Sequence, residues 1–230
     1  MSLAARLALV RTQIAEAALA VGRDPAEIRL VAVSKTFPVE DVRAALEAGC
    51  RDLGESRAQE LVAKAEALAD RDPVPRWVFI GPLQSNKARD VARYAHELQS
   101  LDRVELADAL QRRLDAVDRT LDVLVQVNTS GEEAKSGVAP DEAVALARVV
   151  AAHDRLRVRG LMTIATLGGD EAETRRCFRA LAETRERLRD AAIDGVDSAE
   201  LSMGMSADFP LAIAEGATTV RVGTALFGRR

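Results

Sequence analysis

The feature that most constrains this chain is a rhythm. From Leu30 onward, short apolar and β-branched runs alternate with longer stretches of Ala, Leu, Glu and Arg, and a polar turn separates each pair. The runs predict eight strands: Leu30–Ser34, Arg51–Gly54, Trp77–Ile80, Glu97–Leu101, Asp122–Asn128, Val158–Ile164, Leu201–Met203 and Thr219–Gly223. Helical segments are predicted over 39–48, 56–69, 85–95, 103–117, 140–152, 170–190 and 207–215. Strict alternation implies parallel strands joined by crossover helices, and eight such units fit a compact (β/α)8 TIM barrel, α/β in class. A doubly wound open sheet would carry a Gly-rich phosphate loop after its first strand, whereas Lys35-Thr36-Phe37-Pro38 follows here. Ahead of the alternation, Leu3, Leu7, Val10, Ile14, Ala17, Ala18 and Val21 recur at helical spacing before Gly22. They predict an additional N-terminal helix, which is expected to cover the gap left beside the eighth strand. No Pro/Gly/Ser-rich linker interrupts the pattern, so a single domain over 1–230 is expected.

Composition excludes several functions. With 48% hydrophobic residues among 230, the chain can build a core, and no apolar run approaches the length of a membrane span. A net charge of −4 with both signs interspersed argues against a nucleic-acid surface. Arg6, Arg11 and Glu16 interrupt the first apolar positions, which makes an export signal an unsuitable reading. Cys50 and Cys177 stand far apart with no Cys/His cluster, as expected of unpaired thiols in a reducing, cytoplasmic compartment, and metal binding through them is not expected.

Barrel chemistry belongs where strands end and βα-loops begin. Lys35 lies at the end of the first strand. Only four of the 32 basic residues are Lys (Lys35, Lys64, Lys87 and Lys135), so Arg carries nearly all the positive charge and a Lys at the barrel mouth raises a chemical question. An amine can lose its proton and condense with a carbonyl, which a guanidinium cannot. A solvated strand-end Lys is the plain alternative. At the seventh and eighth strand ends, Leu201–Ser206, which includes Met203, and Val220–Thr224 could form a phosphate cradle. Ser202, Ser206 and Thr224 would supply hydroxyls, and Gly204 and Gly223 close backbone approach. Ser206 could equally cap the next helix, with the glycines serving only as turns. In the loop after the third strand, Gln84, Asn86 and Lys87 are candidates for the pocket, with Ser85 as a helix cap the competing reading. The stretch 128–137 resembles a lid in which Glu132 and Lys135 can pair.

An amine facing a phosphate cradle suggests a phosphorylated aldehyde, and pyridoxal 5'-phosphate (PLP) is the obvious one. Five separated segments carry the resemblance: Val31–Thr36, Gly54–Glu60, Phe79–Lys87, Gly160–Thr163 and 201–228. In that order they are similar to the pyridoxal phosphate homeostasis protein family, which shares the barrel of the alanine racemase N-terminal domain. The resemblance implies Lys35 as the Schiff-base lysine, with Ser202, Gly223 and Thr224 on the phosphate and Arg221 facing the pyridine nitrogen. It also implies cofactor buffering without established turnover, PLP and its vitamers as ligands, and PLP-dependent apo-enzymes as recipients. Two positions depart from the family pattern. Ser56 stands where Asn is common, which shortens any contact it makes near the ring, and Val78 stands where His is common.

A PLP-dependent racemase or decarboxylase is the alternative activity. A racemase needs a second base opposite the lysine. Tyr94, His96 and His153 fall toward helix ends on the far side, and an Arg facing the ring nitrogen weakens the ring as an electron sink. A phosphate-binding isomerase without PLP would want a carboxylate base, for which Glu55 is the candidate, though a helix-entry carboxylate explains it as well. Leu106, Leu110 and Leu114 are expected in the core and the chain as a monomer.

Overall fold

The computed structural model describes residues 1–132, 134–166 and 168–228. Strands β1 (Arg29–Val33), β2 (Asp52–Glu55), β3 (Arg76–Phe79), β4 (Glu97–Leu101), β5 (Leu121–Gln126), β6 (Leu156–Met162), β7 (Glu200–Met205) and β8 (Thr219–Val222) run parallel in chain order. They form a closed barrel, shut by the pairing of β8 with β1. The alternation therefore produces the (β/α)8 fold it predicts. Around it lie α1 (Leu3–Leu19), α2 (Val39–Glu47), α3 (Ala58–Ala67), α4 (Ala88–Tyr94), α5 (Val104–Asp115), α6 (Ala143–Ala151), α7 (Glu171–Asp190) and α8 (Phe209–Ala214). After β8 comes one turn that periodicity does not predict, α9 (Thr224–Phe227). Four residues are too few to show a helical period.

The N-terminal helix does the work expected of it. Its buried stripe of Leu7, Val10, Ile14 and Ala18 packs against α2, α8 and α9. Arg6 Nε donates to the Leu226 carbonyl, and Arg11 Nη2 donates to the Gly49 carbonyl at 3.0 Å. α1 thus fills the place of a full-length eighth outer helix.

Strand side chains alternate between two buried layers. Leu53, Trp77, Phe79, Leu98, Leu201 and Val220 join the hydrophobic layer under the helices. The intervening positions face the lumen. Arg29 on β1 reaches Glu97 on β4, with Nη2 2.7 Å from both carboxylate oxygens, and strands that are not neighbours can meet only across the barrel. Arg76 Nη2 lies 2.9 Å from Glu97 and 3.2 Å from Asp122, and Arg29 also approaches Glu200 at 3.4 Å. These charges close the N-terminal mouth, so a ligand must enter at the other end.

Leu106, Leu110 and Leu114 are fully buried on α5, as expected of core residues. Cys50 and Cys177 are buried free thiols, and among the described residues no helix is long and apolar enough to cross a membrane.

β6 approaches β7 at Gly160, where φ is +152° and an added Cβ would lie 2.0 Å from the Glu200 carbonyl oxygen. Gly160→Ala should therefore lower unfolding free energy by roughly 3 kcal/mol, since two strands must part to admit one methyl group. A urea midpoint equal to that of wild type would contradict the close approach.

Candidate functional site

Lys35 is the second residue of the loop after β1, and its two neighbours are held from below. Buried Ser34 donates its hydroxyl to Glu55 Oε1 at 2.6 Å. Lys64, on the inner face of α3, donates Nζ to Glu55 Oε1 at 2.7 Å and to the Ser34 carbonyl at 2.8 Å. On the other side Thr36 adopts φ +66°, unfavourable for a β-branched residue, and its N–H donates to Glu60 Oε2 at 2.5 Å. Phe37 then stacks on Phe227 with centroids 5.1 Å apart. The backbone of Lys35 is thereby fixed, while its side chain is half-buried at the C-terminal mouth.

This arrangement corrects the reading of Glu55. It is fully buried and paired with Lys64, so it is not a base exposed at the mouth. Burial pushes its carboxyl above the ordinary range, opposed by the hydrogen bonds from Lys64 and Ser34. Burial also acts upward on Glu60, but the Thr36 amide and Lys64 outweigh it and leave that carboxyl below its usual value.

A cavity of about 670 Å³ opens beside Lys35, walled also by Ser56, Ser206, Arg221, Gly223 and Thr224. Ile80, Ile164 and Met205 give it apolar surface. The pairing of β1 with β8 and of β8 with β7 gathers residues from both ends of the chain here. Ser206 Oγ accepts from Gly223 N at 3.2 Å and Ala225 N at 3.4 Å, tying the β7 loop to the β8 loop. It does not cap α8. Asp208 occupies that N-cap position, and its Oδ1 accepts from Met205 N at 2.5 Å.

Arg221 is 4% exposed yet walls the cavity. Burial lowers its guanidinium to about 10, partly offset by Asp208, so it remains a cation at neutral pH. Nη1 donates to Ser202 Oγ and Nη2 to the Thr163 carbonyl, both at 2.7 Å.

Two residues expected at the cradle are elsewhere. Ser202 is fully buried beneath Arg221 with its hydroxyl donated to Gln99 Oε1, and it is not part of the cavity wall. Met203 packs in the hydrophobic layer outside the barrel, because strand alternation turns it away from the face that Ser202 occupies. A register shift between Ser202 and Met205 then brings Met205 to the wall instead. Gly204 answers to packing, since an added Cβ would lie 2.5 Å from Ala212 Cβ on α8.

Other candidates also sort by position. Gln84 and Lys87 line a neighbouring groove with Arg57 and Arg103, and Asn86 lines neither that groove nor the cavity. Ser85 lies inside a 3-10 turn whose N-cap position is Gln84, so it is not the cap. A Val127–Val138 bridge closes the base of the stretch after β5, and Lys135 pairs with Glu132 at 2.6 Å as expected. Glu133 of that stretch lies outside the described residues. Tyr94 donates to Glu66, His96 Nδ1 accepts from Trp77 N, and His153 contacts Asp108; none belongs to the cavity wall. Val78 is fully buried, in register between Gly54 and Glu97.

Sequence reasoning missed Lys64, Gln99 and Thr163. Lys64 carried a usable signal, being one of four lysines and falling in helical phase with Leu61 and Leu68. Lys64→Met would leave Glu55 buried without its cation and should cost about 3–5 kcal/mol in unfolding free energy. A loss below about 1 kcal/mol in denaturant titrations would contradict the pairing.

Comparison with known proteins agrees with this geometry. The family model for the alanine racemase N-terminal domain matches residues 10–230. The chain is 47% identical over 229 residues to the pyridoxal phosphate homeostasis protein of Pseudomonas aeruginosa, covering 100% of this chain and 96% of that protein. It is 42% identical to the protein of that name from Escherichia coli K12, covering 99% and 97%. Among solved structures, PipY of Synechococcus elongatus with PLP bound superposes with a TM-score of 0.87 at 37% identity, covering 99% of this chain and 100% of that one. An alanine racemase from Clostridium difficile, at 16% identity and TM-score 0.76, shares the fold over 57% of its own length. With a family model over residues 10–230, near-complete coverage and identity of 42–47%, the chain belongs to the pyridoxal phosphate homeostasis protein family.

Proposed function

We propose that this protein holds pyridoxal 5'-phosphate at the C-terminal mouth of the barrel through a reversible Schiff base on Lys35, and acts as a carrier and buffer of that cofactor. The observation that carries this reading is the convergence of one amine, one buried cation and the Ser206–Gly223–Thr224 cluster on a single cavity. The groups fit the ligand. Hydroxyls of Ser206 and Thr224 and the loop backbone suit a phosphate, Ile80 and Ile164 suit the faces of an aromatic ring, and Arg221 can donate to a ring nitrogen. Ser56 adds a short hydroxyl near the ring. Bound here, PLP would supply an electrophilic aldehyde, and Lys35 would offer it the amine while Ser206, Thr224 and Arg221 hold the phosphate and ring.

Binding without turnover is favoured over racemisation by the cavity wall. Among its described residues the titratable groups are Lys35, Arg57 and Arg221, with no carboxylate, imidazole or phenol to act as a second base. Arg221 would present a positive charge to the ring nitrogen of a bound cofactor, which would disfavour the protonated ring that carbanion chemistry uses. Arg57 and Thr224 are exposed at the rim, so bound cofactor remains in reach of amines in solution. Recipients of the cofactor would be PLP-dependent apo-enzymes in the cytoplasm. The burial of the α5 leucines in the chain's own core supports a monomer in this role.

Purified protein mixed with PLP should turn yellow, and borohydride should fix the chromophore on the peptide containing Lys35. A protein that stays colourless and unlabelled would overturn the assignment. Incubated with L-alanine, the loaded protein should give no sustained formation of D-alanine; ordinary enzymatic turnover, at about 1 s⁻¹ or faster, would restore the racemase reading.

A further inference from the structure

We propose that Gln99 and Ser202 are positioning residues for the cofactor ring, forming with Glu97 a one-way chain of hydrogen bonds that orients the Arg221 guanidinium toward the cavity. This rests on the reading of the cavity as a PLP site.

The chain can be traced donor by donor. Arg221 Nη1 donates to Ser202 Oγ at 2.7 Å, Ser202 Oγ donates to Gln99 Oε1 at 2.7 Å, and Gln99 Nε2 donates to Glu97 Oε1 at 2.6 Å. Its direction is set at the far end. The Glu97 carboxylate, held by the guanidiniums of Arg29 and Arg76, can only accept, so the amide of Gln99 must turn its nitrogen that way. The carbonyl of Gln99 is then left to face Ser202 and takes its only proton. Ser202 must in turn offer lone pairs to Arg221. Every member is 4% exposed or less, so no solvent competes for these bonds.

The consequence for Arg221 is specific. Among the described residues no carboxylate lies within ion-pair distance of it; neutral acceptors, Ser202 and the Thr163 carbonyl, hold two of its nitrogens. Asp208 acts on its charge only from beyond ion-pair distance while its orientation is fixed, which suits a cation presented to a ring nitrogen. Gln99 does not reach the cavity wall and acts only through this chain.

The test compares wild type, Gln99→Met, Ser202→Ala, Ser202→Thr and Arg221→Gln, each loaded with PLP. Readouts are the pH titration of the visible absorption band, PLP affinity by fluorescence, thermal melting, and borohydride labelling of Lys35. Gln99→Met and Ser202→Ala should still label at Lys35. Their titration midpoint should move by about half a pH unit or more in the direction of Arg221→Gln, and affinity should fall about five- to tenfold. Ser202→Thr, which keeps the hydroxyl, should titrate nearer to wild type than Ser202→Ala. Two variants at separate links guard against one failing to fold. Wild-type midpoint and affinity in Gln99→Met or Ser202→Ala, even with a lowered melting temperature, would reduce the chain to core structure and overturn the proposal alone. Absence of a Lys35 adduct in wild type would overturn both this proposal and the carrier function.

Discussion

The pairing of β8 with β1 is the constraint on which the site depends. Val31 lies beside Arg221 and Ala32 beside Val222, so a lysine near the start of the chain and a loop near its end share one rim. Chain segments that distant meet only because eight parallel strands close into a ring. An open sheet would leave Lys35 and Thr224 at separate edges. The chemistry is thus a property of closure before it is a property of any residue.

Closure also creates a lumen that must be filled. Here the filling is graded along the barrel axis. A charged plug of Arg29, Arg76, Glu97 and Asp122 seals the N-terminal mouth, polar Gln99 and Ser202 occupy the middle, and Arg221 stands at the cavity floor. Buried charges of this kind contribute little net stability, because desolvation offsets their attraction. What they provide is direction: each group fixes the rotamer or proton of the next. Hydrophobic packing under the outer helices, built around residues such as Trp77, Phe79 and Leu201, carries the stability instead.

Much of the fold was legible because alternating strand and helix patterns are local. All eight strands lie within about two residues of their expected positions, and the N-terminal helix fills its expected place. Residues walling the cavity were legible where they sit at a loop terminus, as with Lys35, Gly223 and Thr224. They were not where parity decides. Ser202 and Met203 are adjacent, so a strand cannot aim both at one cavity, and Ser202 proved to lie a layer too deep. Glu55 was misread because its partner Lys64 lies on the following helix, and the charge pairing appears only once α3 packs. Ser206 looked like a cap by spacing, yet its acceptor serves amides of the next βα-loop.

The seating of α1 has a consequence for synthesis. Its apolar stripe is translated well before two of its partners, α8 and α9, which follow only after seven strands. Until α8, β8 and α9 have emerged from the ribosome, α2 alone among these helices can cover that stripe and the ring cannot shut. Maturation is therefore gated by the segment from α8 to α9, and a nascent chain stalled before it would present a half-covered amphipathic helix to chaperones.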